Sequence, residues 1–160
     1  MNTKKSLLYA FLPWIAFTTK PGVTIPDHGR FRFAIVENCA AVSPTEKNIF
    51  NVEIVNSRES REKGLGGRKK KLSANEGMLF QFDPPMPVSF WMKDTWIPLQ
   101  IVYFDIEGKL TKTYEMPVEK NPDKPLGTYP SLKPAIAALE IAPHRLTGKI
   151  SKLMLCIEAK

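Results

Sequence analysis

Apolar and polar positions alternate along much of the chain. Phe31, Phe33 and Ile35 alternate with Arg32 and Ala34, and Phe50, Val52 and Ile54 with Asn51 and Glu53. A period of two residues is that of a strand with one face buried. Met78, Phe80 and Phe82 share a strand face, and Asp83-Pro84-Pro85-Met86-Pro87 is expected to break that strand. Val88, Phe90 and Met92 then alternate with Ser89, Trp91 and Lys93. From Leu99 to Phe104 both alternating sets are largely apolar, which predicts a strand covered on its two faces. Glu107-Gly108 makes a hairpin turn into Leu110–Tyr114. Ala135–Ile141 and Lys152–Ile157 are the last expected strands, joined by a turn-rich link around Pro143 and Gly148.

Only one segment reads as a helix. Asn56 or Ser57 offers a cap, Glu59 stands three residues after Asn56, and Gly64 offers a left-handed stop, so the helix has about two turns. The basic run Arg68–Lys71 follows on a loop. Five prolines between Met116 and Pro134 make that stretch a long ordered loop. Many short strands with turn signals between them predict a mainly β domain, a jelly-roll-like sandwich or barrel with one short helix. Neither a repeat nor a linker divides it, so residues 26–160 are expected to form one domain.

Residues 1–25 differ in character. Lys4 and Lys5 precede an apolar stretch, Leu7–Phe17, in the order of an export signal. Eleven helical residues span roughly 17 Å at about 1.5 Å each, short of a bilayer core of about 30 Å. The alternative is an apolar strand or loop that packs on the domain. Net charge is +7, and setting aside Lys4, Lys5 and Lys20 leaves +4, a weak argument for a polyanionic partner. Export, with membrane association if the segment is retained, is the favoured location, and the cytoplasm the alternative. Cys39 and Cys156 would be free to pair after export, but the apolar run around Cys156 favours buried free thiols.

Arg61-x-x-Gly64-Leu65-x-x-Arg68, Leu72 and Gly77-Met78-Leu79-Phe80-x-Phe82 stand in order before Phe90-Trp91-Met92-Lys93-x-Thr95-x-Ile97-Pro98-Leu99. Tyr129-x-Ser131 and Ala138-Leu139-Glu140-Ile141 complete the series. This pattern resembles the bacterial and archaeal family called domain of unknown function 192, DUF192. The resemblance implies a jelly-roll-like sandwich in proteins that are often exported, with no established activity. Gln100 departs from the pattern, where Asp is usual, and so does Gly66, where a larger apolar residue is common. Pro143-His144-Arg145 replaces a Gly-rich link.

Candidate chemistry gathers in these motifs. Strand alternation would set Trp91, Lys93 and Thr95 on one face, the inventory of a site for a polar ligand such as a sugar or a carboxylate. Arg61, Arg68, Lys93 and Glu140 are long charged side chains placed beside large apolar residues, and such charges are costly to bury unless paired. The expectation favoured here is therefore structural: at least two of the four are desolvated and joined in one ion-pair network. Arg61, Arg68, Trp91, Lys93, Thr95 and Glu140 remain the candidate ligand-binding residues.

Catalytic templates are missing. His28 and His144 have no neighbours at metal-ligand spacing, and the sequence has no Cys-x-x-Cys, His-Glu-x-x-His or Gly-x-Ser-x-Gly. Gly64-Leu65-Gly66-Gly67 lacks dinucleotide-loop spacing. No metal or cofactor is expected. The leading reading is an exported, non-catalytic binding or accessory domain, monomeric and without nucleic acid. One alternative is a small hydrolase or carbohydrate-active enzyme using Glu140 or Asp94 with Lys93. Another is a cytosolic polyanion binder using Arg68–Lys71.

Overall fold

The alternating segments pair into one eight-stranded sheet. The computed structural model describes residues 14–18, 25–43, 47–121, 123–125, 127–148 and 150–159. Its strands are β1 (Trp14–Ala16), β2 (Arg30–Val36), β3 (Ile49–Val55), β4 (Glu76–Met86), β6 (Leu99–Phe104), β7 (Leu110–Met116), β9 (Ala135–Ile141) and β10 (Met154–Glu158), with β5 (Ser89–Phe90) and β8 (Tyr129–Pro130) as a separate short pair. The order across the large sheet is β1-β10-β2-β3-β4-β9-β6-β7. All neighbours are antiparallel except β3 and β4. A parallel pair needs a crossover, and the helix α1 (Arg58–Lys63) with the loop after it supplies one. The mainly β class with one short helix is therefore as expected, while the sheet is not closed into a barrel.

The sheet has two buried faces. Phe33, Phe50, Ile54, Leu79, Val102 and Leu139 join one core with Leu155 of β10 and Leu110 of β7, strands far apart in the order, so the sheet rolls over on itself. Its two ends touch at the β6–β7 turn. There Leu155 N–H donates to the Gly108 carbonyl at 2.7 Å, and Lys109 bridges to Met154. Gly108 has φ +74°, and a Cβ there would lie 2.7 Å from the Phe17 carbonyl, so the contact requires glycine. Gln100 lies inside this core, 2% exposed. Its Nε2 donates to the Leu146 carbonyl and its Oε1 accepts from the Leu146 N–H, both at 2.8 Å. A carboxylate has no proton to give that carbonyl, which explains an amide where the DUF192 pattern usually has Asp.

On the opposite face Met78, Phe80, Phe82, Leu99, Ile101 and Tyr103 form a second core, covered by Leu65 and by Met92 and Ile97. The helix that leads into Leu65 is anchored at its start. Ser57 caps it by accepting from Ser60 N, and Ser60 Oγ and Asn56 N donate to the Asp27 carboxylate. The Asn56 N–H, then the two serines, hold the Asp27 carboxyl well below the usual range. Asn56 itself donates to the Ile25 carbonyl, so it is not the cap.

Several expectations need correction. β4 does not break at Asp83 but runs to Met86, with a register shift between Gln81 and Met86 that takes the prolines out of the ladder. The alternation at 88–93 yields only the two residues of β5, and the chain then turns at 93–94. The long loop carries β8, which pairs with β5. The cysteines are not free thiols: Cys39 and Cys156 form a disulfide, Cα–Cα 5.6 Å, that ties a short 3-10 turn to β10. An apolar, buried setting suits a disulfide as well as a thiol, and only the tertiary fold brings the two residues together. Of the export-signal-like segment, residues 1–13 and 19–24 lie outside the described residues. The strand alternative holds for Trp14–Ala16, which pairs with β10, and Phe17 packs edge-on against Phe33.

Candidate functional site

The second core is open at one side. Between the α1 turn at 64–67 and the segment from Met86 to Trp96 lies a groove of about 1180 Å³. Two tethers set its walls: Gly67 N–H donates to the Asp94 carbonyl at 2.8 Å, and Met92 and Ile97 are buried on either side of the exposed turn. Gly64 adopts φ +46° directly over Phe80, whose ring lies 3.1 Å from where a Cβ would stand. At Gly66 a Cβ would come within 2.9 Å of the Lys63 carbonyl, so this tight turn admits no larger residue and leaves the groove wide.

Five of the six candidate residues line this groove, and Arg68 does not. Trp91 and Lys93 stand on its rim, with Lys93 Nζ 5.5 Å from the Trp91 ring centre. Thr95 does not share their exposure. It is buried, and its hydroxyl donates to the Lys93 carbonyl at 3.0 Å, closing the turn. Arg61 Nη1 donates to the carbonyls of Asn56 and Gln81, and its guanidinium lies over Phe82, so it fastens the helix to β4. Arg68 Nε donates to the Lys70 carbonyl at 2.8 Å, and Nη2 lies 3.6 Å from Glu76.

The expected ion-pair network is therefore not formed. Glu140 is 5% exposed at the floor of the groove, between Met78 and Ile101 across its two neighbouring strands. Among the described residues its carboxyl has neither a hydrogen bond nor an ion pair. Desolvation alone pushes its carboxyl up to about 8. Such a group is mostly protonated at neutral pH, so it can both donate and accept a hydrogen bond. A carboxyl desolvated without a partner is costly, and one so perturbed that lines a groove is a candidate functional group. Tyr103, on the same face of β6 as Ile101, has its phenol raised by burial first and by Glu140 second.

Trp96 was not among the residues the sequence singled out. Read as a strand, it falls on the face of Phe90 and Met92, yet it is 47% exposed on the rim opposite that expectation. Asp94, named only as a catalytic alternative, also lines the groove, at φ +52°. Among the described residues, no three His, Cys, Asp or Glu are grouped to hold a metal ion.

The family model of DUF192, Uncharacterized ACR, matches residues 40–150. The chain belongs to DUF192. No curated protein matches it. Two crystal structures share the fold. One is a "putative transcription regulator" from Sinorhizobium meliloti, 21% identical, with TM-score 0.64 over 82% of this chain and 96% of that one. The other is a protein of unknown function from Novosphingobium aromaticivorans, 24% identical, with TM-score 0.63 over 79% and 84%. The residues that line the groove of this DUF192 chain all lie within the matched region.

Glu140 sets a pH dependence of stability. Its folded value, about 8, lies above the ordinary 4.5, so between those limits the native state holds a proton that the unfolded chain lacks. Stability is then full below the lower limit and falls with rising pH, by about 1.4 kcal/mol per unit and at most about 5 kcal/mol in total. Urea titrations from pH 5 to 9 are expected to show this fall in the wild type and to lose it in Glu140→Gln, which becomes the more stable protein at pH 9. A wild-type profile that the substitution leaves unaltered contradicts the assignment.

Proposed function

We propose that this DUF192 chain is an exported, non-catalytic binding domain whose groove receives a small polar ligand, a sugar or a carboxylate. The observation that carries the reading is Glu140, a buried carboxyl with no partner, at the floor of a groove rimmed by two exposed tryptophans. A ligand hydroxyl or carboxylate supplies the missing hydrogen bond, and the rings supply flat apolar surface. The Cys39–Cys156 disulfide supports export, because such bonds persist in oxidising compartments. Lys4 and Lys5 before Leu7–Phe17 support it independently. Cleavage after Phe17 would remove β1 and the Phe17 ring from the core.

One observation favours a second reading. A carboxyl raised to about 8 is suited to act as a general acid at neutral pH, which favours the Glu140 form of the small enzyme that uses Glu140 or Asp94 with Lys93. The polyanion reading has less behind it: Arg68 is engaged by Lys70 and Glu76, and the loop lies outside the groove. The name of the Sinorhizobium meliloti structure gives it only a likeness in fold.

Thermal-shift screening against sugars and organic acids tests the binding reading, since a ligand of the native state raises Tm by mass action. A compound is expected to stabilise the wild type and not Glu140→Leu, a substitution that keeps an apolar floor. Equal shifts in both proteins would place the ligand elsewhere, and turnover of the compound would favour the enzyme. For location, residues 1–25 fused to a reporter active only outside the cytoplasm are expected to give activity, and an expressed but inactive fusion contradicts export.

A further inference from the structure

We infer that the groove takes a carboxylate-bearing oligosaccharide of the polyuronate type, lying across Trp91 and Trp96 with a hydroxyl on Glu140 and its carboxylates at Lys63 and Lys93. This rests on the groove being a ligand site, and it names the ligand class.

Size comes first. A volume of about 1180 Å³ exceeds the roughly 300–1,000 Å³ of an ordinary small-molecule site, so the occupant is extended. Shape and polarity follow. Trp91 is 56% and Trp96 47% exposed, on the rim of one groove, and broad rings in that setting offer stacking faces to flat, weakly polar rings. Beneath them Glu140 shares the groove with Phe80, Phe82 and Phe90 and has no ion-pair partner among the described residues. Its neutral form is the one that this surrounding tolerates, and a neutral acid is matched by a hydroxyl, which donates and accepts in turn.

Charge then narrows the class. Arg58, Arg61, Lys63 and Lys93 line the groove against the acidic residues Glu62 and Asp94, and Glu62 is tied to Arg58 at 2.8 Å. Lys63 and Lys93 are exposed and have no ion-pair partner among the described residues. The rim is net positive, so it disfavours an amine and favours an anion. An acidic peptide would answer the lysines but offers no sugar ring to stack on the two tryptophans. A neutral glycan would answer the floor but not the lysines. A uronate chain answers both.

Isothermal titration of the full chain with tetragalacturonate, a neutral glucose tetramer and a poly-glutamate peptide distinguishes these. Tetragalacturonate is expected to bind, with affinity reduced tenfold or more in Lys93→Gln and in Trp91→Ala, and reduced again by raised salt. Both substitutions fall on exposed side chains, so the fold is retained, which the wild-type melting temperature checks. If the neutral tetramer binds equally well, or Lys93→Gln binds as the wild type does, the acidic class is overturned and the ligand site stands. Preferential binding of the peptide overturns the saccharide. If none of the three binds while another compound gives a Glu140-dependent thermal shift, this inference alone fails. If no compound gives such a shift, the binding reading fails with it.

Discussion

Strand β9 is buried along all seven of its residues, and one of the seven carries a carboxyl group. Its position allows no escape: β4 and β6 flank it, and Leu139 and Ile141 face the rolled interior while Ala138 and Glu140 face the second core. Six of these residues are apolar and stabilise the sheet by burial. Glu140 works against them unless it is neutral or receives a partner. The open side of the second core follows from the same constraint, because a floor that holds a carboxyl cannot be sealed by side chains without stranding it. The turn from Trp91 to Trp96 accordingly buries Met92 and Ile97 and leaves two tryptophans and Lys93 outside.

The other charged residues of the motifs are explained by separate demands. Arg61 satisfies two carbonyls where α1 meets β4, and Arg68 closes its own loop. Neither is within the reach of Glu140 that an ion pair would need. Burial of a lone acid and exposure of the nearby cations is the reverse of a structural salt-bridge cluster, in which desolvated charges sit together. The disulfide and β1 belong to the far end of the sheet, where Trp14 and Ala16 pack with Cys39 and Cys156.

Periodicity made much of this legible. Residues 31–35, 50–54, 99–104 and 135–141 were readable because a strand half or wholly buried repeats every second residue. The same rule misled at 88–93, where Met92 is buried as the anchor of a turn and alternation is incidental. Proline misled at 83–87, since a strand tolerates it where the ladder shifts register. Trp91 and Lys93 stand exposed on the rim while Thr95 is buried, because their faces depend on the turn and not on a strand. The identity of Glu140 as a candidate was visible in its motif. That it lacks a partner was not, because pairing is decided by which distant strands lie beside β9.

Direct titration of the Glu140 carboxyl tests the central claim. In carbon-13 NMR of protein labelled at glutamate side-chain carboxyls, with Glu140→Gln used to assign the resonance, the account predicts a midpoint near 8. A midpoint near the ordinary 4.5 would mean that Glu140 is solvated or paired, and would contradict it.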